Sequence, residues 1–582
     1  MTPLKAALSR SIEEIEHLFS DYKFQRLRSD QFRVKGILSA WRGSIRCEGK
    51  DVIIIVAIPI SFPDELPRIY LTKDFRHLPI PHVDGDNLVC TFDTDNIDFF
   101  AERTKSLIQE TIEKARGIIS DGISGKNIQD FENEFLAYWP IGSHPKKIYS
   151  ILQPDDEIAE IQIATIESGI NRIRHLAGNN EDDIKSYIKK LHKDTKIKKL
   201  QTCLYLPLQK APIPPFPENN IEILLYIKSI NPDYEKAVSD FLFANDYQGT
   251  IIFSTKVNQK TVLAAWQHIS PGEKSLKKGF RPSKVNPRVL KARLSPQKII
   301  RCDVERIDSD RLQKRIGYDN RELKNKKVCI IGCGALGSHI AFYLSRSGIE
   351  QLTLIDNDCL LPENISRHLC GMNEINQGKV HAVATRIENH FPHIRIEARN
   401  DVFHQVFIDN PEAIYSSDLI ISATANTALE RRINKIQIES LECPPVLYSW
   451  IEPYGIASHA VLIIKGKGGC FDCCLNRDNL RYIFSVAEFG GNTFTIQEAG
   501  CQTSFTPYSA LEADQASSIA TRLSLAYLNG EILSSTRFAW LGDLNIINNI
   551  SVSKNPIYEN IPSFSIHRIA IERNKDCPYC NQ

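Results

Sequence analysis

The sequence contains no apolar run near the ~20 residues that span a bilayer, and it has no surplus of either charge: Lys plus Arg total 71 against 70 Asp plus Glu. The first absence argues against a membrane segment. The second argues against a chain whose main partner is nucleic acid or an anionic membrane surface. Residues Met1 to Arg10 reach charged side chains before any apolar core of signal-peptide length forms. A soluble, cytoplasmic protein is the expectation. Cysteine, by contrast, is plentiful at 15 residues. The odd count and two Cys-x-x-Cys pairs point to reduced thiols used for metal ligation and catalysis rather than to disulfides.

At 582 residues the chain is too long for one ordinary core, so two to four domains are expected. Ile12, Ile15, Leu18 and Phe19 fall at helical spacing, and the β-branched run Asp51–Pro59 reads as a buried strand. Ser61–Pro67 is a proline-bearing turn leading to a second strand at Arg68–Leu71. Beyond Cys90, the residues Leu107, Ile108, Ile112, Ala115 and Ile119 share one helical face. These elements outline a first domain over 1–145. Residues 146–305 mix helix and strand signals and hold no catalytic constellation, so they are assigned to a linker domain of unknown role. From Lys274 to Arg301 there are ten basic residues and no acid, broken by Pro282, Pro287 and Pro296, a pattern that fits an extended linker.

The third region, 306–582, opens with strand, glycine turn, helix, strand: Lys327–Ile331, then Gly332, Gly334 and Gly337 in G-x-G-x-x-G spacing, then Gln351–Asp356. That order predicts a parallel, Rossmann-like sheet whose glycine turn lets backbone amides approach phosphates. Asp356, ending the second strand, is placed to accept hydrogen bonds from ribose hydroxyls. Up to this point ATP and NAD fit equally well.

The segment that follows separates them. Asp356-Asn-Asp358, Asn364-x-x-Arg367 and Lys379 resemble, position by position, the series found in the ThiF/MoeB and ubiquitin-activating adenylyltransferase superfamily. The resemblance implies ATP and Mg2+ as cofactors, with Asn364, Arg367 and Lys379 at the triphosphate. One departure stands out: where that superfamily carries a metal-binding aspartate, this chain has Ala425, which leaves Asp358 as a candidate in its place. Arg315 is a candidate for the arginine that reaches into a partner subunit's site, and the resemblance implies a homodimer.

Cys470, Cys473, Cys577 and Cys580 form two pairs whose four thiolates suit structural Zn2+, with Cys474 as an alternative ligand. ThiF-like enzymes carry the same pairs, and the loop after the first pair carries their acyl-accepting or sulfur-transferring cysteine. Cys501 occupies that loop here. The amino-terminal domain resembles the ubiquitin-conjugating fold. His82 stands eight residues before Cys90, where that fold usually has an asparagine, and is a candidate to stabilise an oxyanion.

The expected fold class is therefore α/β multidomain: an α+β conjugating-like domain, a mixed α/β linker domain and a Rossmann-like adenylation domain. The fusion resembles the conjugating enzymes of bacterial antiphage operons that signal with cyclic oligonucleotides. It implies a nucleotidyltransferase, here a cyclic-oligonucleotide synthase, or a ubiquitin-like protein as carboxylate donor, and an amine-bearing acceptor. Two rivals remain open: a sulfur-carrier adenylyltransferase and a noncatalytic nucleotide-binding scaffold.

Overall fold

The computed structural model describes residues 15–75, 77–92, 103–141, 143, 146–170, 173–191, 195–270, 295–314, 322–476, 478, 481–488, 494, 496–497, 504–550 and 552–580. The chain divides into two compact units, residues 1–184 with 196–307, and residues 185–195 with 308–582. No helix among the described residues is long and apolar enough to cross a membrane.

The first unit begins with an antiparallel meander of Gln25–Arg26, Ile37–Cys47, Lys50–Pro59, Arg68–Leu71 and Leu88–Val89, each strand beside the next. Period-2 alternation in the expected strand buries Val52, Ile54, Val56 and Ile58. They meet Ile108, Ile112, Ala115 and Ile119 of helix Thr104–Ser124 in one core, to which residues 15–21 add Ile15, Leu18 and Phe19. The helix stops at Gly125, where φ is 76°, a conformation that costs least without a Cβ.

The remainder of this unit is a closed barrel of seven strands, in the order Gly249–Val257, Lys260–His268, Ile299–Arg306, Lys147–Ser150, Ile173–Gly178, Ala159–Ile170 and Ile197–Pro207. Helices Asn220–Ile230 and Pro232–Ala244 cover one side, burying Ile223, Ile227, Val238 and Phe241 against Leu204, Leu206 and Phe253. The linker expected over 274–301 is corrected at its end. Residues 271–294 lie outside the described residues, but Ile299–Arg306 is a barrel strand. Arg301, counted within that basic stretch, is 9% exposed. Its guanidinium donates to the carbonyls of Trp139 at 2.8 Å and Pro217 at 3.3 Å, and to that of Ile141. Three acceptors offset the cost of burying the cation.

The second unit is built on an eight-stranded sheet ordered Arg395–Arg399, Gln351–Ile355, Lys327–Ile331, Leu419–Ser422, Val446–Ile451, Ala457–Ile463, Thr536–Leu541 and Ser565–Ala570. The first five strands are parallel and the last three add antiparallel. The chain runs outward from Lys327–Ile331 in one direction, then returns to its other side at Leu419–Ser422. That reversal opens a crevice at the carboxyl ends of these two strands, the usual ligand position in doubly wound sheets.

Candidate functional site

The crevice is shaped by glycine. Gly332 has φ 88°, and a Cβ there would lie 3.0 Å from the carbonyl oxygen of Ala423 and 3.0 Å from Thr424 Cγ2. At Gly337 a Cβ would collide with the Gly332 carbonyl, so this position lets helix Ala335–Arg346 pack onto the turn. Gly334 is the N-cap of that helix, and a Cβ there would meet nothing within 4 Å, leaving the backbone open to a phosphate. Asp356 stabilises the turn with both oxygens: Oδ2 accepts from Cys333 N at 2.6 Å and Oδ1 from Asp358 N at 2.8 Å. Each oxygen keeps a lone pair for a ribose hydroxyl.

Around the turn the structure places the other residues picked from the sequence. Lys379 Nζ donates to Asp358 Oδ2 at 2.8 Å, with the lysine side chain 12% exposed and the aspartate 61%. Asn364 Oδ1 accepts from Leu361 N at 3.0 Å and so shapes the loop that carries Arg367. Arg367 lies over the Tyr508 ring at 4.4 Å and donates to Thr506 O at 3.3 Å. Cys501 and Arg315 lie outside the described residues. Ala425 has φ 50° on the loop bordering Gly332 and offers no metal ligand.

Sequence reasoning missed His368. Its Nε2 donates to Cys333 O at 2.8 Å and its Nδ1 accepts from Cys370 N at 3.0 Å, which fixes a neutral tautomer. Burial pushes its imidazole below its usual range. The ring thus ties the Arg367 loop to the glycine turn. A lone histidine beside an arginine carries no periodicity by which it could have been found.

In the first unit, Cys90 is exposed, directly after strand Leu88–Val89. Its amide donates to His82 O at 2.8 Å, so the two residues singled out eight positions apart are joined through the backbone. His82 has φ 63°, a conformation rare outside glycine and asparagine. Three groups hold it there: Tyr138 Oη at 2.6 Å from His82 N, Asp130 Oδ2 at 3.1 Å from Nε2, and Glu134 Oε1 at 2.8 Å from Nδ1. Both ring nitrogens face carboxylates. These partners sit 48 to 56 residues away in sequence, on short helices Asp130–Asn133 and Phe135–Tyr138 and at Glu134 between them. The barrel anchors that segment, with Trp139 Nε1 donating to Ala265 O at 2.9 Å.

Burial pushes the Cys90 thiol up, and the charges of Asp84 and Glu134 add to it. A basic thiol is a poor leaving group, so an acyl group on it resists premature loss. The sign gives a prediction. Glu134→Gln removes a negative charge, lowers the thiol's midpoint and raises the thiolate fraction at neutral pH, so iodoacetamide should label Cys90 about two- to fivefold faster. Labelling across pH, read on the Cys90 peptide by mass spectrometry, checks this; an unchanged or higher midpoint contradicts it.

The four paired cysteines come together. Sγ–Sγ distances are 3.9 Å for Cys470–Cys473, 3.5 Å for Cys470–Cys577 and 3.5 Å for Cys473–Cys580, and all four sulfurs lie within 4.8 Å of one another. A tetrahedron with zinc–sulfur bonds of ~2.3 Å has edges of about 3.8 Å. These separations fit that figure and are too long for a disulfide. Cys474 stands apart, its thiol turned to Cys470 O at 3.9 Å. Asn574 N donates to Cys473 Sγ at 3.4 Å, the kind of second contact that stabilises a thiolate.

The glycine turn and the Arg367 and Lys379 cations border a crevice open to an anion, and an exposed thiol belongs to the other unit. Residues 309–578 match the ThiF family and residues 18–146 match Prokaryotic E2 family B, so the chain is a ThiF domain fused to a prokaryotic E2 domain. It is 24% identical over 481 residues to the ATP-dependent ubiquitin transferase-like protein Cap2 of Pseudomonas aeruginosa, covering 80% of this chain and 83% of that protein. To Cap2 of Escherichia coli it is 19% identical over 515 residues, covering 82% and 84%. The molybdopterin-synthase adenylyltransferase of Haemophilus influenzae is 28% identical over 189 residues, covering 32% of this chain and 71% of that protein. The chain is accordingly an ATP-binding, ubiquitin transferase-like enzyme with adenylating chemistry in its ThiF domain.

Proposed function

We propose that this enzyme carries one acyl group through four steps. A partner protein's C-terminal carboxylate attacks the α-phosphorus of ATP and pyrophosphate leaves. The Cys501 thiolate then attacks the acyl-adenylate and AMP leaves. Cys90 takes the acyl group and frees Cys501, and finally an amine attacks the Cys90 thioester, forming an amide and releasing the thiol. The observation that carries this reading is Cys90, exposed and held at the end of its strand by the His82 backbone, in the same chain as a crevice with Arg367 and Lys379 at its glycine turn. Arg367 and Lys379 would offset the charge brought together at the phosphates and developing on pyrophosphate. Asp358, exposed at the crevice, is the carboxylate that would hold Mg2+ where Ala425 offers none. The Cys470, Cys473, Cys577 and Cys580 thiolates would hold a structural zinc. The whole fusion's resemblance supports a homodimer, and a cyclic-oligonucleotide synthase primed in antiphage defence as the donor.

The donor's free carboxylate is the chemical signature of the first step. ATP–pyrophosphate exchange should depend on a peptide bearing the donor's C-terminal sequence and should vanish when that terminus is amidated. Exchange that persists with the amidated peptide contradicts the reading.

A further inference from the structure

The barrel of the first unit has a layered interior. Along Ile197–Pro207, alternate residues point inward: Cys203 and Tyr205 join Ile148, Ile163, Ala177, Ala265 and Cys302 in an apolar plug. The same alternation continues past the plug toward one mouth and changes character there. Lys199 and Gln201 precede Cys203, Lys146 precedes Ile148, Thr165 succeeds Ile163, His175 precedes Ala177, and Gln267 succeeds Ala265. All six line a cavity of about 300 Å³. Among the described residues that line it there are two lysines and no carboxylate.

Lys146, Lys199 and Gln201 are exposed at the cavity's rim, and Thr165, His175 and Gln267 are half-buried deeper in. Burial pushes the His175 imidazole below its usual range, with the charges of Lys146 and Arg174 adding to it. Thr165 Oγ1 lies 3.3 Å from His175 Nδ1. Barrel mouths are a common place for small ligands, and the volume is at the low end of such sites, suited to a sugar phosphate and too small for a dinucleotide.

We propose that the barrel mouth binds a small phosphate-bearing metabolite. Lys146 and Lys199 supply the cationic contacts to the phosphate, and Gln201, Gln267 and Thr165 hydrogen-bond the polar body. The site lies within the barrel and does not depend on the nucleotide crevice or on either catalytic thiol.

The test uses the full chain with Arg367→Ala and Lys379→Ala, so that phosphate binding at the glycine turn is weakened. Thermal unfolding is followed against ribose 5-phosphate, inorganic phosphate and succinate at constant ionic strength. Ribose 5-phosphate is expected to give a saturable rise in melting temperature. Adding Lys146→Met and Lys199→Met should raise its half-saturating concentration about tenfold or more, whereas Lys236→Met on helix Pro232–Ala244 should leave it unchanged. Ligand-free melting of each variant establishes that it folds. No saturable rise with either phosphate probe, an equal rise in the double-methionine protein, or an equal response to succinate would overturn the proposal.

Discussion

Arg367→Ala and Lys379→Ala should each lower carboxylate-dependent ATP–pyrophosphate exchange about 100- to 1000-fold, the usual loss when one preorganised charge is removed from a developing anion. The two residues reach the crevice from different elements, Lys379 as the first residue of helix Lys379–His390 and Arg367 from the loop shaped by Asn364. Neither closes a core, so melting temperature should change little while exchange falls. Arg367→Lys should recover part of the rate, since the charge remains but the flat guanidinium stacked on Tyr508 is lost. Lys379 is held by Asp358 before any phosphate arrives, so Asp358→Asn separates two roles. If Asp358 only orients the lysine, exchange falls modestly at every Mg2+ concentration. If it also holds the metal, the Mg2+ concentration needed for half-maximal exchange rises.

Cys577→Ser, or stripping with a strong chelator, is the second change with a large expected effect. Cys577 and Cys580 come from the end of the chain and meet Cys470 and Cys473 across 107 residues. A metal at that point closes a long loop and fastens the terminal segment to the core that holds Phe471, Tyr448 and Ile571. Structural zinc sites contribute several kcal/mol to folding. For a unit of this size that corresponds to a loss of roughly 10 °C or more in melting temperature. Metal analysis of the purified protein should return one zinc per chain, falling toward zero in the variant. A full complement of zinc in Cys577→Ser, or an unchanged melting temperature after chelation, would remove the cluster from the account.

Much of the second unit could be read from the sequence because its signals are local. Strand, glycine turn, helix and strand follow one another within 30 residues, and G-x-G-x-x-G meets a backbone that requires it at Gly332 and Gly337. The helix–sheet core of the meander was legible for the same reason, through the β-branched run Asp51–Pro59 and Ile108, Ile112 and Ile119 on one helical face. The barrel was not. Its closure joins Lys147–Ser150 to Ile299–Arg306, about 150 residues away, and no local pattern encodes that pairing. Arg301 was misread because a count of charges gives no weight to three carbonyls supplied from residues 139, 141 and 217. His82 illustrates the same limit. Its distance from Cys90 drew attention to it, but Asp130, Glu134 and Tyr138, which determine what its ring can do, belong to a segment placed by the barrel.

The central claim is that one acyl group moves from sulfur to sulfur, with Cys501 before Cys90. Its most direct measurement is non-reducing capture of donor adducts formed with ATP, comparing the parent chain with Cys501→Ala and Cys90→Ala and mapping each adduct by mass spectrometry. Adducts are expected on both cysteines in the parent, none in Cys501→Ala, and one confined to Cys501 in Cys90→Ala. An ATP-dependent adduct on Cys90 in the Cys501→Ala protein would contradict the claim.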